Sequence, residues 1–330
     1  MGFIQRVQLK KNIPKLKSKI EQVIDSLIKD IQSYDAKQIL DYFGVFYGLT
    51  TSDKIEEDLD TEKYFKLDYI HSIVSAVGDL NQKECNEEIL NRIDENIEEL
   101  KNNATFYLML TSDHKGEPSH IKFEQAIHNM IVRGDSYPEH KIEMCRELFS
   151  KFDDILTDRY GIDSKQLIDE LINISEYPIK NLEILKQYFD EMMLSHQEFV
   201  KQLDEISDDN AKFEFMQTYK NSEDVKRVNE KLQNIQDKTE VSFYDSIFKI
   251  HKTNLPKEIL NQLSINIGDN TNFKKGSIDY FPNNETLIYD KPLIKIDSEY
   301  YCFNPALIIY NLHTILENIV MSIISPNRTL

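Results

Sequence analysis

Apolar residues recur at helical spacing through most of this chain. From Pro14 onward, Leu16, Ile20, Val23, Ile24, Leu27, Ile28 and Ile31 fall three or four positions apart, and Pro14 sits in the first turn, where its missing N–H is harmless. The same reading predicts helices over about 36–47, weakened at its end by Gly44 and Gly48, and over 64–77, stopped by Gly78-Asp79. Further helices are predicted over 84–110 and 120–132, two more around Gly161, with Asp163 or Ser164 capping the second, and long polar-rich ones over about 179–206 and 209–235. The acidic run 52–62 and the stretches 112–120 and 133–140 read as breaks.

After residue 255 or so the period changes. "LSINIG", "SIDYF", "ETLIYD", "PLIKI" and "YYCF" are short, rich in β-branched and aromatic residues, and separated by Asn, Asp, Gly or Pro. "IKIDSEYYCF" reads as a hairpin turning at Asp297-Ser298-Glu299 without the usual glycine. A last helix, 305–324, follows, with Asn304 as cap and Pro305 in its first position. The expected fold is therefore mainly α: an irregular multi-helix domain over 1–255, then a small subdomain over 256–330 with an antiparallel sheet and a C-terminal helix.

That closing helix carries a broad apolar face, which includes Ile308, Leu312, Ile315, Ile319 and Ile323. Asn311, Thr314, Asn318 and Ser322 line its other side, and His313 and Glu317 would be costly in a bilayer, so a membrane span is not expected. The helix is expected to pack partly on the small sheet and partly on another subunit or a partner's domain, because a wet face of this size favours association.

Composition narrows the functional classes. Nine glycines in 330 residues are too few for a fold built on Gly-rich phosphate loops or tight β-turns, and neither GxxxxGK[ST], GxSxG nor HExxH occurs. A net charge of −18 opposes broad nucleic-acid binding. The N-terminal stretch is the exception: Arg6, Lys10, Lys11 and Lys15, followed by Lys17 and Lys19, form a basic arm without an acid. It is the candidate site for a nucleic-acid-binding module. Three scattered cysteines, Cys85, Cys145 and Cys302, fit a reducing compartment, and Cys145 and Cys302 fall on core-type positions. With no signal-peptide apolar region near the N-terminus, the expected location is the cytoplasm.

Two constellations have the spelling of chemistry. His120, Glu124 and His128 share one helix face at i, i+4, i+8 and are the candidate metal ligands, but no second ExxH segment exists to complete a bundle site, so no metal and no cofactor is expected. Arg133 and His140, in "RGDSYPEH", resemble the Rx4–6H motif of the HEPN-type ribonucleases. The resemblance implies a metal-independent RNA cleavage by that pair. Gly134 replaces the polar residue usual after the arginine, and Pro138 interrupts the segment. Paired Asp and (Asp/Glu)-x-Lys on adjacent strands, as a restriction-type nuclease needs for its metal, are not spelled out: Asp290 and Lys291 are contiguous.

The segments "YPEHKIEMCRELFSKFDDILTDRYGIDSKQLIDELINI" and "DKPLIKIDSEYYCFNPALIIYNLHTILENIV" together resemble the N-terminal region of large bacterial nuclease-related, restriction-endonuclease-like proteins over roughly 137–320. What that implies is a noncatalytic helical scaffold or regulatory subunit of a bacterial nuclease-associated system, such as phage defence. The chain stops at Leu330, where the resemblance places the catalytic domain. The expected partner is thus a nuclease domain or subunit, or a second copy held through the C-terminal helix.

Overall fold

A computed structural model describes residues 11–49, 61–80, 82–111, 121, 124, 137–219, 222–239, 241, 246–271, 273 and 287–325. In chain order the elements are α1 (Ile13–Ser33), α2 (Ala36–Phe43), a π-helical segment (Gly44–Leu49), α3 (Thr61–Val77), α4 (Glu87–Thr111), α5 (Pro138–Phe149), a 3-10 turn (Ser150–Phe152), α6 (Asp153–Tyr160) and α7 (Ser164–Asp204). Then come α8 (Asp209–Tyr219), α9 (Glu223–Thr239), α10 (Lys257–Gln262), β1 (Ser264–Asn266), α11 (Leu287–Asp290), β2 (Leu293–Ile296), β3 (Glu299–Tyr301), α12 (Pro305–Tyr310) and α13 (Leu312–Ile324). The fold is mainly α, as expected.

Two compact units divide the chain: residues 1–176 with 253–330, and residues 177–252. The segment 253–330 thus joins the N-terminal helices. The units part beside Pro178, which lies inside α7 and cannot donate to the carbonyl of Ile174.

In the first unit α1 packs along α4, and both pack on α3. Ile20, Ile24, Leu27 and Ile31 of α1 meet the face of Ile89, Ile93, Ile97 and Leu100, all buried. Arg92 clamps the buried Asp30 across this seam through both carboxylate oxygens, at 2.9 and 2.6 Å. Local stop signals act where the sequence places them. Gly161 ends α6 at φ 75, and Asp163 and Gln166 cap α7 reciprocally, side chain to backbone, at 2.7 and 3.0 Å. At Gly78 a Cβ would stand 2.6 Å from the Val74 carbonyl and 2.9 Å from Ala36, so only glycine lets the chain after α3 approach α2.

The sheet corrects the expected topology. β2 and β3 are an antiparallel hairpin, Ile296 facing Glu299, and the two-residue turn Asp297-Ser298 has φ of 49 and 72, the left-handed pair that such a turn demands even without glycine. β1, however, runs parallel to β2, with Ser264 beside Leu293, so the sheet is mixed. Parallel neighbours need a long connection, and the chain between Asn266 and Leu293 supplies it. Part of that connection is α11. "ETLIYD", expected as a strand, is helical over Leu287–Asp290, because Ile288 is buried between α3 and α13, and Asn318 donates to Asp290 at 3.0 Å. "SIDYF" lies outside the described residues.

The closing helix differs from expectation in three ways. It breaks at Asn311, whose side chain bonds back to the Leu307 carbonyl at 2.9 Å, so 305–324 is two helices. Asn304 does not cap it with its side chain; the amide donates instead to the buried Asp68 of α3 at 2.6 Å. Finally, the chief neighbours of α13 are α5, α6 and α11, helices rather than the sheet. Lys141 of α5 fixes this arrangement, its ammonium donating to the Tyr310 carbonyl at 2.7 Å. The long helices expected over 179–206 and 209–235 are correspondingly re-cut: the first is continuous with its predecessor as α7, and the second is α8 plus α9.

In the second unit a non-helical strap, 246–252, with a turn at Ile247-Phe248, lies along α7 on both sides of Pro178. Asn181 donates to the Ile247 and Lys249 carbonyls at 2.8 and 3.0 Å, Tyr177 to that of Lys252, and Tyr188 to that of Val241 at 2.8 Å. The Asn181 amide is buried, so removing it leaves two carbonyls without this donor. Asn181→Ala is expected to lower stability by about 2 kcal/mol, read as a shifted urea midpoint at unchanged slope. An unchanged midpoint would show that the strap is held by its apolar contacts alone.

Candidate functional site

The second unit contains a concave surface whose lining is set by two helical periodicities. Tyr188, Met192, Ser195, His196 and Phe199 fall on one face of α7 at i, i+4, i+7, i+8 and i+11. Val228, Asn229, Leu232, Gln233 and Gln236 present the facing surface of α9, and Tyr219, at the end of α8, closes one end. Between them lies an open groove of about 750 Å³, within the size range of pockets that bind small molecules or peptide side chains.

Aromatic packing holds the α8 end rigid. Phe199 stacks on Phe215 at 5.7 Å and meets Tyr219 at 4.5 Å, while the Tyr219 hydroxyl donates to the Ser195 carbonyl at 3.2 Å. Two ion pairs lace α7 to α9, Glu191 to Lys231 at 2.7 Å and Glu198 to Arg227 at 3.1 Å. These anchor the helices in antiparallel register. Among the described residues the polar groups that line the groove are hydroxyls and amides, plus the His196 imidazole. Such a surface can bury an apolar ligand and hydrogen-bond its polar edge.

The apolar surface extends beyond the groove. Phe189, Met193 and Val200 continue around α7 at i, i+4 and i+11, and they are 54%, 54% and 38% exposed. Phe213 and Met216 of α8 are exposed as well. Large apolar side chains clustered on one exposed face are the ordinary mark of a docking surface. The sequence holds a signal for this: the apolar positions of α7 from 188 to 200 cover a wider arc than a single core-facing stripe needs. The local pattern does not say which part of that arc the other helices leave uncovered.

Among the described residues, those singled out from sequence are not brought together into one site. Arg133 lies outside the described residues; His140 is exposed in the first turn of α5, its ring edge-on to Tyr137 at 5.9 Å. His120 and His128 also lie outside the described residues, and Glu124 is exposed; among the described residues no group of three or more His, Cys, Asp or Glu side chains is placed to hold a metal ion. Arg6 and Lys10 lie outside the described residues, while Lys11 and Lys15 are exposed at the start of α1. Ile308, Leu312, Ile315 and Ile319 are buried inside the chain's own first unit, and Ile323 is half-buried. The expected intermolecular face of the closing helix is therefore core, because α5, α6 and α11 already cover it.

A second polar constellation in the first unit is structural. The π-helical segment turns Tyr47 inward to donate to Asp94, and Lys66 bridges Asp94 at 3.6 Å and Glu98 at 2.6 Å, with Lys101 on Glu98 at 2.9 Å. Burial alone would raise the Glu98 carboxyl, but the hydrogen bonds and charges of the two lysines outweigh it and hold it at about 2. Burial, and then the Asp94 carboxylate, push the Tyr47 phenol far above its ordinary value, so it stays neutral. Every member of this network pairs with another, and together they join α3, α4 and the π segment. Among the cysteines, Cys145 and Cys302 are core as expected; burial pushes the Cys302 thiol up, and that of Cys85 to about 11.

No known protein family, curated protein or solved structure matches this chain. Among the described residues no helix is long and apolar enough to cross a membrane.

Proposed function

We propose that the chain is a binding scaffold, and that it engages a partner polypeptide through the open helical face of its second unit. The observation that carries this reading is the exposed run Phe189, Met192, Met193 and Val200 beside an aromatic-floored groove. Methionines suit such a surface, since their flexible thioethers adapt to whatever packs on them. The sequence resemblance supplies the partner class, a nuclease-associated assembly such as phage defence, with this chain as scaffold or regulatory subunit.

The test is a photoreactive phenylalanine analogue at Met193, introduced into the full chain in the cell that naturally makes it. A defined polypeptide adduct is expected, and it should disappear when Phe189→Asp and Val200→Asp are added, since both positions are exposed and their exchange leaves the fold intact. No adduct, or one indifferent to both substitutions, would refute the scaffold reading. An adduct with a polypeptide other than a second copy of this chain that has no link to nucleic-acid cleavage would refute the nuclease association alone.

A further inference from the structure

We infer that the occupant of this face is a second copy of the same chain, with the two α7 segments antiparallel about a two-fold axis between Ser195 and His196. This rests on the docking reading above and adds the partner to it. The argument comes from the charges along the edge of the apolar stripe. Glu183, Lys186, Asp190, Lys201, Asp204 and Glu205 are exposed, and none has an ion partner among the described residues. Their order along the helix is acidic, basic, acidic, then basic, acidic, and in the arrangement below Glu183 falls level with position 208, beyond the end of α7 in the second copy.

Among two-fold arrangements that order is self-complementary in one direction only. With the axis between Ser195 and His196, Asp190 lies level with Lys201 of the second copy, and Lys186 lies level with its acidic end, Asp204-Glu205. Two-fold symmetry repeats each pairing. A parallel arrangement in register would instead set Asp190 beside Asp190 and Lys201 beside Lys201, and like charges at close range oppose association. The same antiparallel register brings Phe189 and Met193 within two positions of level with Val200 of the second copy. The exposed Phe189, Met193 and Val200 then meet an apolar face of the same width. A helix that leaves Phe189, Met193 and Val200 wet on its own has them covered by its copy, while the flanking charges set direction and register.

Sedimentation equilibrium on the full chain decides this. The wild type is expected at twice the 38.9 kDa of the monomer. Asp190→Lys and Lys201→Asp should each weaken dimerisation about tenfold or more. The double variant should recover wild-type affinity, because exchanging both signs preserves every pairing, and an equimolar mixture of the two single variants should form a mixed dimer. These positions are exposed, so circular dichroism is expected to be unchanged. A wild type that remains monomeric to about 100 μM, or a double variant no tighter than the single ones, would overturn the inference. A monomer that still yields a different polypeptide adduct at position 193 overturns the dimer and leaves the scaffold reading standing; no adduct of any kind overturns both.

Discussion

Replacing Ile315 or Ile319 with aspartate is expected to abolish the cooperative unfolding transition of the first unit instead of releasing folded monomers. Both side chains lie in α13, 0% and 1% exposed, beneath α5, α6 and α11. Removing an isoleucine from such a site forfeits about 1.5–3 kcal/mol of burial. The carboxyl that replaces it has no cation within the apolar face, so it must either stay charged or take up a proton at a pKa raised by up to about 3–5 units, a further 4–7 kcal/mol at neutral pH. The total reaches the stability of a typical domain, about 5–15 kcal/mol. Thermal scans by circular dichroism should lose their sharp transition, and size-exclusion chromatography should show aggregate. Ile324→Asp is the control: that residue is 54% exposed on the same helix and should be tolerated. A folded, cooperatively melting Ile315→Asp protein would show that this face is not core.

Acid is expected to weaken the fold through a buried histidine, in addition to its paired carboxylates. His71 of α3 is fully buried, and neither ring nitrogen has a hydrogen-bond partner among the described residues. Burial lowers its pKa from 6.5 to about 4, because the imidazolium has nothing to replace its water. Between those values the unfolded chain binds a proton that the folded chain does not. Stability from this group is therefore complete above about pH 6.5, falls as the pH drops, and is lost at about pH 4, a change of about 3 kcal/mol. Urea unfolding at pH 7 and pH 4, compared between wild type and His71→Leu, isolates the effect, since the carboxylates titrate in both. The wild type should lose about 3 kcal/mol more than the variant over this interval. At pH 7 the variant should be at least as stable, because it removes two unpaired buried nitrogens. Parallel pH profiles would mean that His71 finds a partner in solution.

Much of this architecture is written locally. The stripe Ile20, Val23, Ile24, Leu27, Ile31 predicts α1 and its buried face, because a 3.6-residue period leaves no other way to bury those side chains together. Gly161 and the Asp163–Gln166 pair mark the end of one helix and the start of the next through bonds only a few residues long. The β2–β3 hairpin is legible for the same reason, its register set by a two-residue turn.

What the sequence does not disclose depends on which distant segment arrives as neighbour. "LIY" carries strand-type residues, and it becomes helical because α3 and α13 enclose Ile288. β1 reads as a strand, yet its parallel pairing follows from the path the chain takes before reaching β2. Asn304 has the chemistry of a cap and spends it on Asp68, a residue brought close only by folding. The two apolar helices show the limit most plainly. By itself the sequence determined that α13 carries a wide apolar face, since periodicity is a property of one helix, whereas the stretch 179–206 reads as polar-rich. Only the tertiary structure decided that the α13 face is covered within the chain and that the described residues leave part of the α7 arc open, because burial belongs to the set of helices that pack around a face and not to the helix that carries it.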